Sequence, residues 1–305
     1  MIILANSEAT NGIGVSAELL QQKHNVLDAL VEGISIVERD PNVRSAGYGG
    51  WPNMIGEMEF DAAVMDGTTL EIGAVGALQG TLSATKTAYQ VMKRLPHVML
   101  TGAGATRFAK ECGYQDDELL MPDSKRVWRN KIDKVVAADQ LNDFPNIPLA
   151  PLSNIITDPE RVRDTTVFMG MGHDNHIAAC TSTSGWAWKY PGRLGDSPIP
   201  GAGFYADSRF GAAACTHTGE MTMRAGTSRA IVLAMQLGHN LEQSVDLAVA
   251  ELANLKCGFL GGVVIHAIDK HQNHLVVNFR CDETIRYWYW DESLPKPVQR
   301  IATKV

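Results

Sequence analysis

Apolar residues fall along this chain in short runs divided by turn-forming ones, and the most informative pair lies near its middle. Val167, Phe168, Met169 and Met171 make one run, and Ile177, Ala178, Ala179 and Cys180 a second. Between them stand Gly172, His173, Asp174 and Asn175. Runs of this length around a polar turn predict two antiparallel strands, a hairpin. The second run continues into four hydroxyl residues, Thr181, Ser182, Thr183 and Ser184. Hairpin geometry then brings Thr165, just ahead of the first run, to the same end of the pair as Thr183.

The same pattern organises the flanks. Residues 1–4 predict a first strand, and Leu27, Leu30, Val31 and Ile34, at helical spacing, predict one amphipathic helix over residues 15–38 packed on a sheet. Asp66 and Gly67 sit between the runs 61–65 and 70–75, a second hairpin signal, so turn formation explains the Asp66 carboxylate better than catalysis does. A helix over 81–94 and a strand over 97–100 follow. Gly102, Ala103 and Gly104 then open a helix, and Arg107 in the third glycine's place argues against a dinucleotide fingerprint. Residues 133–163 lose periodicity and gather Pro145, Pro148, Pro151 and Pro159, which predicts a connecting loop. Beyond the central hairpin come a small-residue strand over 211–215, helices over 220–236 and 240–255, and a hairpin of 263–268 with 275–279. The alternating aromatics of 286–290 predict an edge strand or a subunit contact rather than a platform for sugars or bases.

Composition narrows the class. A chain of 305 residues with 45% hydrophobic content and 28 glycines fits a globular α/β protein with many turns. A net charge of -7 argues against a nucleic-acid or anionic-membrane partner. The first residues lack the basic and apolar regions of a secretory signal, and no run is long enough to span a bilayer, so a cytoplasmic location is expected. Five scattered cysteines predict neither a disulfide framework nor a zinc site. His173, Asp174 and His176 could suggest a metal, but in a hairpin turn without further ligands a solvated turn is expected.

Chemistry enters with the glycine-rich loop after the hydroxyl cluster. It carries Arg193 and Asp196, one fixed cation and one fixed anion three residues apart. Beside a hydroxyl nucleophile, such a pair suits a substrate with an α-amino acid head.

The stretches TSTSG (181–185), GRLGDSPIPGAG (192–203) and GAAACTHTGE (211–220) resemble the second half of the glycosylasparaginases, a family of N-terminal-nucleophile hydrolases. Residues 45–78, SAGYGGWPNMIGEMEFDAAVMDGTTLEIGAVGAL, resemble its first half in the same order. The resemblance implies one α/β unit over 1–305, a four-layer α-β-β-α sandwich cut between Asp164 and Thr165 into segments 1–164 and 165–305. Thr165 would then be the nucleophile, its freed α-amine (reference pKa about 8) serving as base. Thr183 matches the second threonine beside the nucleophile. The Thr216 hydroxyl and the His217 backbone N–H match the oxyanion donors. Arg193 and Asp196 match the groups that hold the substrate α-carboxylate and α-ammonium. The resemblance implies no metal or organic cofactor, a glycosylated asparagine or other small amino-acid substrate, and a dimer of cleaved heterodimers.

This chain has Arg163 and Val167 where the family usually has His and Gly, His217 for a glycine, and Ser7 for a tryptophan on the substrate wall. Trp51, where the family often has a small residue, could reshape that wall. Aligning His173 and Asp174 with the dipeptide that usually precedes the nucleophile would put Asn175 in the threonine's place and delete a strand, leaving two rows of unpaired backbone groups. The alignment through Thr165 is therefore preferred. An L-asparaginase or isoaspartyl peptidase of the same superfamily, or an uncut, non-catalytic member, stays open as an alternative.

Overall fold

A computed structural model describes residues 1–159 and 165–305. Strand β1 (Ile2–Asn6) is fully buried. The single helix expected over 15–38 is instead two, α1 (Ile13–Gln21) and α2 (Val26–Arg39). Lys23 breaks them apart in the left-handed region (φ 65°), and the Asn25 side chain then caps α2 by accepting the Leu27 N–H. The pattern could not show this break, because apolar spacing resumes in phase after five polar residues, 21–25.

The predicted second hairpin is β2 (Phe60–Asp66) with β3 (Ile72–Leu78). The Asp66 carboxylate accepts the Thr68 and Thr69 N–H groups at 2.8 and 3.0 Å, the turn role expected of it, and also meets His176 Nε2 at 2.8 Å. Then come α3 (Ala84–Arg94), β4 (Met99–Thr101) and α4 (Gly102–Glu111). A helix the pattern missed, α5 (Pro122–Val135), starts on a proline at its first turn. A one-turn helix α6 (Ser153–Ile156) interrupts the expected loop.

The central hairpin forms as β5 (Thr166–Met171) and β6 (Ile177–Thr183). After it come β7 (Phe204–Asp207) and β8 (Gly211–His217), then α7 (Gly219–Ala225) and α8 (Thr227–Gln236). These helices replace one expected helix, because Gly226 turns left-handed (φ 61°). The chain ends with α9 (Leu241–Ala253), β9 (Val263–Asp269), β10 (His274–Phe279), β11 (Arg286–Asp291), β12 (Val298–Ile301) and β13 (Thr303–Lys304).

Among the described residues the strands form two sheets, ordered β12-β11-β1-β5-β6-β2-β3-β4 and β13-β10-β9-β8-β7. The aromatic strand β11 is not an edge, since β12 covers it. Its Tyr287 and Tyr289 enter the core between the sheets, and Trp290 enters the core under α1 and α2. Between the sheets lie Val167, Met169, Met171, Ile177 and Ala179 from one, and Ala212, Ala214, Val264 and Ile268 from the other. The outer face of the larger sheet packs on α1 to α4, and that of the smaller on α8 and α9. No helix among the described residues is long and apolar enough to cross a membrane.

Alternation on β5 thus assigns even positions to the helices and odd positions to the second sheet. Phe168 is wholly buried under α2, where Gly33 leaves room for it: a Cβ there would overlap Ser16 Oγ and stand 3.0 Å from the Phe168 ring. Phe168→Ala should lower unfolding free energy by about 3–5 kcal/mol, the usual range for an emptied aromatic site, read from a denaturant titration.

Candidate active site

Strand β5 is fourth of eight in the larger sheet, and Thr165 is the residue just before it. Pairing runs Val167 with Thr181 and Thr166 with Ser182, so the next step sets Thr165 opposite Thr183. On the other side β1 pairs with β5 only as far as Ala5 and Phe168. There the Asn6 side chain takes over and accepts the Val167 N–H at 3.1 Å. The sheet ladder therefore ends at the residue where a nucleophile would need room. Thr165 is 6% exposed, and its Oγ1 lies 3.3 Å from Ser197 Oγ. Thr181, on the same face, donates to the Ser197 carbonyl at 2.6 Å. Thr165 therefore looks into the space between the sheets. Asp164 and Arg163, on the other side of the expected cut, lie outside the described residues.

The Thr183 hydroxyl donates to the Ser45 carbonyl at 3.1 Å and accepts the Gly185 N–H at 2.9 Å. Its one proton is thus committed, and one lone pair is left to accept from a neighbour. Thr216, 1% exposed, stands on the face of β8 that carries Ala212 and Ala214 into the inter-sheet core, so it faces the sheet that holds Thr165. Its Oγ1 lies 2.9 Å from Nδ1 of His217, which ends the strand at a positive φ of 82°.

Arg193 and Asp196 do not pair with each other. Arg193 Nε and Nη2 both donate to Glu220 Oε1, at 3.1 and 2.6 Å, while the guanidinium lies 4.4 Å over the Trp186 ring. Asp196 Oδ2 accepts the Thr222 hydroxyl at 2.6 Å. Both partners belong to the first turns of α7, and Gly219 lets that helix come close, since a Cβ there would stand 2.5 Å from Asp196 Oδ1. Arg193 is already holding a carboxylate, the chemistry expected of it with a substrate.

Several groups that build this arrangement escaped the sequence. Asp61, fully buried, accepts the Gly195 N–H at 3.1 Å and the Ala77 N–H at 2.9 Å, which pins the Arg193 loop to β2 and β3. Glu59 holds the Gly192 N–H at 3.0 Å. Ser197, Asn6 and Glu220 complete the set. Their partners lie far away along the chain, so local pattern could not single them out. Trp51, the expected wall residue, is only 6% exposed and lies edge-on to Trp188 at 6.0 Å, with the Arg44 guanidinium 4.1 Å over its ring. His173 and Asp174 are exposed in the turn, while His176 turns back to Asp66; among the described residues no group of three or more His, Cys, Asp or Glu side chains is placed to hold a metal ion.

Burial pushes the Asp196 carboxyl up to about 6, against the Thr222 hydroxyl and the Arg193 charge, which both favour its ionised form. In the free protein its folded value exceeds its unfolded one, so its contribution to stability is fully present below about pH 4 and is lost as pH rises through 6. An α-ammonium ligand has the opposite preference and needs the ionised form. KM for an amino-acid substrate should therefore climb about tenfold per unit as pH falls below 6, measured with kcat in the same buffers. A KM flat from pH 7 to 5 would detach Asp196 from the ligand.

A family model described as asparaginase matches residues 7–294. A Drosophila erecta protein provisionally named as an N(4)-(beta-N-acetylglucosaminyl)-L-asparaginase is 34% identical over 285 residues, 87% of this chain and 70% of that protein. An isoaspartyl peptidase/L-asparaginase of Danio rerio is 34% identical over 265 residues, 85% of this chain and 79% of its own. An N(4)-(beta-N-acetylglucosaminyl)-L-asparaginase of Elizabethkingia miricola is 32% identical over 238 residues, 78% of this chain and 65% of its own.

Proposed function

Because the chain belongs to the asparaginase family of hydrolases, we propose that it is a self-cleaving amidohydrolase with Thr165 as nucleophile, acting on N4-(β-N-acetylglucosaminyl)-L-asparagine. The observation that carries this is the position of Thr165. It lies one residue beyond the last β5–β6 pair, Thr166 with Ser182, at the open end of the central strands, faces the second sheet, and meets Ser197, the neighbour of Asp196. The two sheets, with helices packed outside each, are consistent with the four-layer sandwich of N-terminal-nucleophile hydrolases.

In this reading the Asp164–Thr165 bond is cut first, which frees the Thr165 amine. The amine takes the proton from Oγ1 as Oγ1 attacks the side-chain amide carbon of the substrate. The amide oxygen becomes an oxyanion, held by the Thr216 hydroxyl and the His217 backbone N–H, donors worth about 3–4 kcal/mol each in comparable sites. The protonated amine then gives its proton to the leaving nitrogen, and the C–N bond breaks. This releases the glycosylamine and leaves aspartate esterified to Thr165. Water, deprotonated by the same amine, hydrolyses the ester. The lone pair left on Thr183 accepts from the amine and keeps it aimed at Oγ1. Arg193 shares its guanidinium between Glu220 and the substrate α-carboxylate, and Asp196 takes the α-ammonium. No step calls for a metal or organic cofactor, and the product pair would leave a dimer of cleaved heterodimers.

A second substrate is favoured by Ser7, which follows the residue that caps β5 and falls where the glycosylasparaginase resemblance implies a tryptophan on the substrate wall. An asparaginase or isoaspartyl peptidase shares the machinery and lacks the glycan. Parallel assays on the glycosylated asparagine, β-aspartyl dipeptides and free asparagine separate the two. Highest kcat/KM on the glycosylated substrate is the result expected; a dipeptide preferred by tenfold or more would move the assignment to the second. An uncut chain inactive on all three would make this a non-catalytic member, the outcome to which Arg163 and Val167 point.

A further inference from the structure

We propose that the His217 side chain, braced by Glu283, is a positioning residue that sets the direction of the Thr216 hydroxyl proton. The inference rests on the assignment of that hydroxyl as an oxyanion donor and goes beyond it, since that assignment uses only the His217 backbone N–H. His217 occupies the left-handed region that favours glycine, yet carries an imidazole that is almost wholly buried. The ring touches a different group on each side: Nδ1 is 2.9 Å from Thr216 Oγ1, and Nε2 is 3.6 Å from Glu283 Oε1.

The carboxylate decides the tautomer. A bare lone pair on Nε2 would face the negative charge of Glu283, so a neutral ring carries its proton there. Nδ1 is then an acceptor, and the hydroxyl of Thr216, which has a single proton, donates it to the ring. That proton is no longer available to an oxyanion. In the imidazolium both nitrogens carry protons, Nδ1–H donates to Thr216 Oγ1, and the hydroxyl proton is free to point between the sheets. The charged ring therefore completes the oxyanion site, and the neutral ring disables half of it.

The other ionisable groups around the ring agree with this division. Glu283, from the segment between β10 and β11, favours the cation. Asp196 lies against Gly219, two residues beyond the ring, and adds a second negative group on that side when ionised. His266, on β9 beside Ala214, is held neutral, its value pushed down to about 3 by burial and by the neighbouring charge of His217. Across the site, the Thr165 amine must be neutral to act as base. Activity should therefore rise on the acid side as the amine loses its proton and fall on the alkaline side as His217 does.

The test compares kcat against pH for the mature protein and three variants. His217→Gly keeps the backbone N–H and suits the positive φ. It should lose the alkaline fall, kcat reaching a plateau while the acid limb stays. Glu283→Gln should move the alkaline limb about one unit toward lower pH, since the cation loses its counter-charge. Thr216→Val should cut kcat about 10²–10³-fold at every pH if its hydroxyl is an oxyanion donor. A normal kcat in Thr216→Val overturns the oxyanion assignment and the inference with it. A depressed kcat there, with an unchanged alkaline limb in His217→Gly, leaves the assignment standing and overturns the role of the ring alone. Imidazole ¹⁵N resonances of the wild-type protein give a readout independent of turnover. A neutral His217 protonated at Nε2 is expected, and one protonated at Nδ1 contradicts the proposal.

Discussion

Thr165→Ala is expected to remain folded and uncut, with turnover reduced by about 10⁴-fold or more, the usual consequence of deleting a covalent nucleophile. The substitution removes a hydroxyl and a methyl from a site with 6% exposure and keeps the Cβ. Among the bonds it loses is the 3.3 Å contact with Ser197, worth about 1 kcal/mol or less. Thermal denaturation beside the wild type separates lost chemistry from lost stability. Thr165→Ser keeps both the hydroxyl and the potential amine and should retain measurable turnover. Circular dichroism, thermal denaturation and steady-state rates on one preparation of each variant decide the matter. An active Thr165→Ala protein would remove Thr165 from the chemistry.

Arg193→Ala should raise KM by about 10²-fold or more and leave kcat within a few-fold, since a charged clamp on a non-reacting carboxylate binds ground state and transition state alike. Arg193→Lys should recover only part of the loss. An ammonium keeps the charge but not the planar fork that grips a carboxylate bidentately. The Ala variant also strands Glu220, whose Oε2 is already buried without a hydrogen-bond partner among the described residues. A loss of stability is expected with it, and the double variant Arg193→Ala, Glu220→Ala should relieve that loss without restoring KM. Should kcat fall while KM stays fixed, Arg193 would belong to the reacting centre instead.

The parts of the fold that were legible in the sequence are those set by local physics. The β5–β6 hairpin announced itself because two apolar runs flank a turn, and its register runs to Thr166 with Ser182, one step short of Thr165 and Thr183. The break between α1 and α2 did not, because the apolar spacing resumes beyond it and only the φ of Lys23 marks the boundary. Helix α5 was hidden by its many charges, since only Ser124 and Ile132 are fully buried. The aromatic strand β11 was rightly a strand, but pattern cannot tell which strand joins its far side, and β12 covers the edge. The site divides the same way. Thr165, Thr183, Thr216, Arg193 and Asp196 were visible as residues in a family order. Their supports (Asn6, Glu59, Asp61, Ser197 and Glu220) were not, because a buried carboxylate has no signature until the N–H groups it serves are brought to it.

The central claim is that this chain frees Thr165 as an N-terminal residue. Intact mass and N-terminal sequencing of freshly purified protein, resolved under denaturing conditions, test it most directly. Two fragments in place of the 33.2 kDa chain are predicted, the smaller beginning Thr165, Thr166, Val167. A cut at any other bond, or a chain that hydrolyses the substrate while still whole, would contradict it.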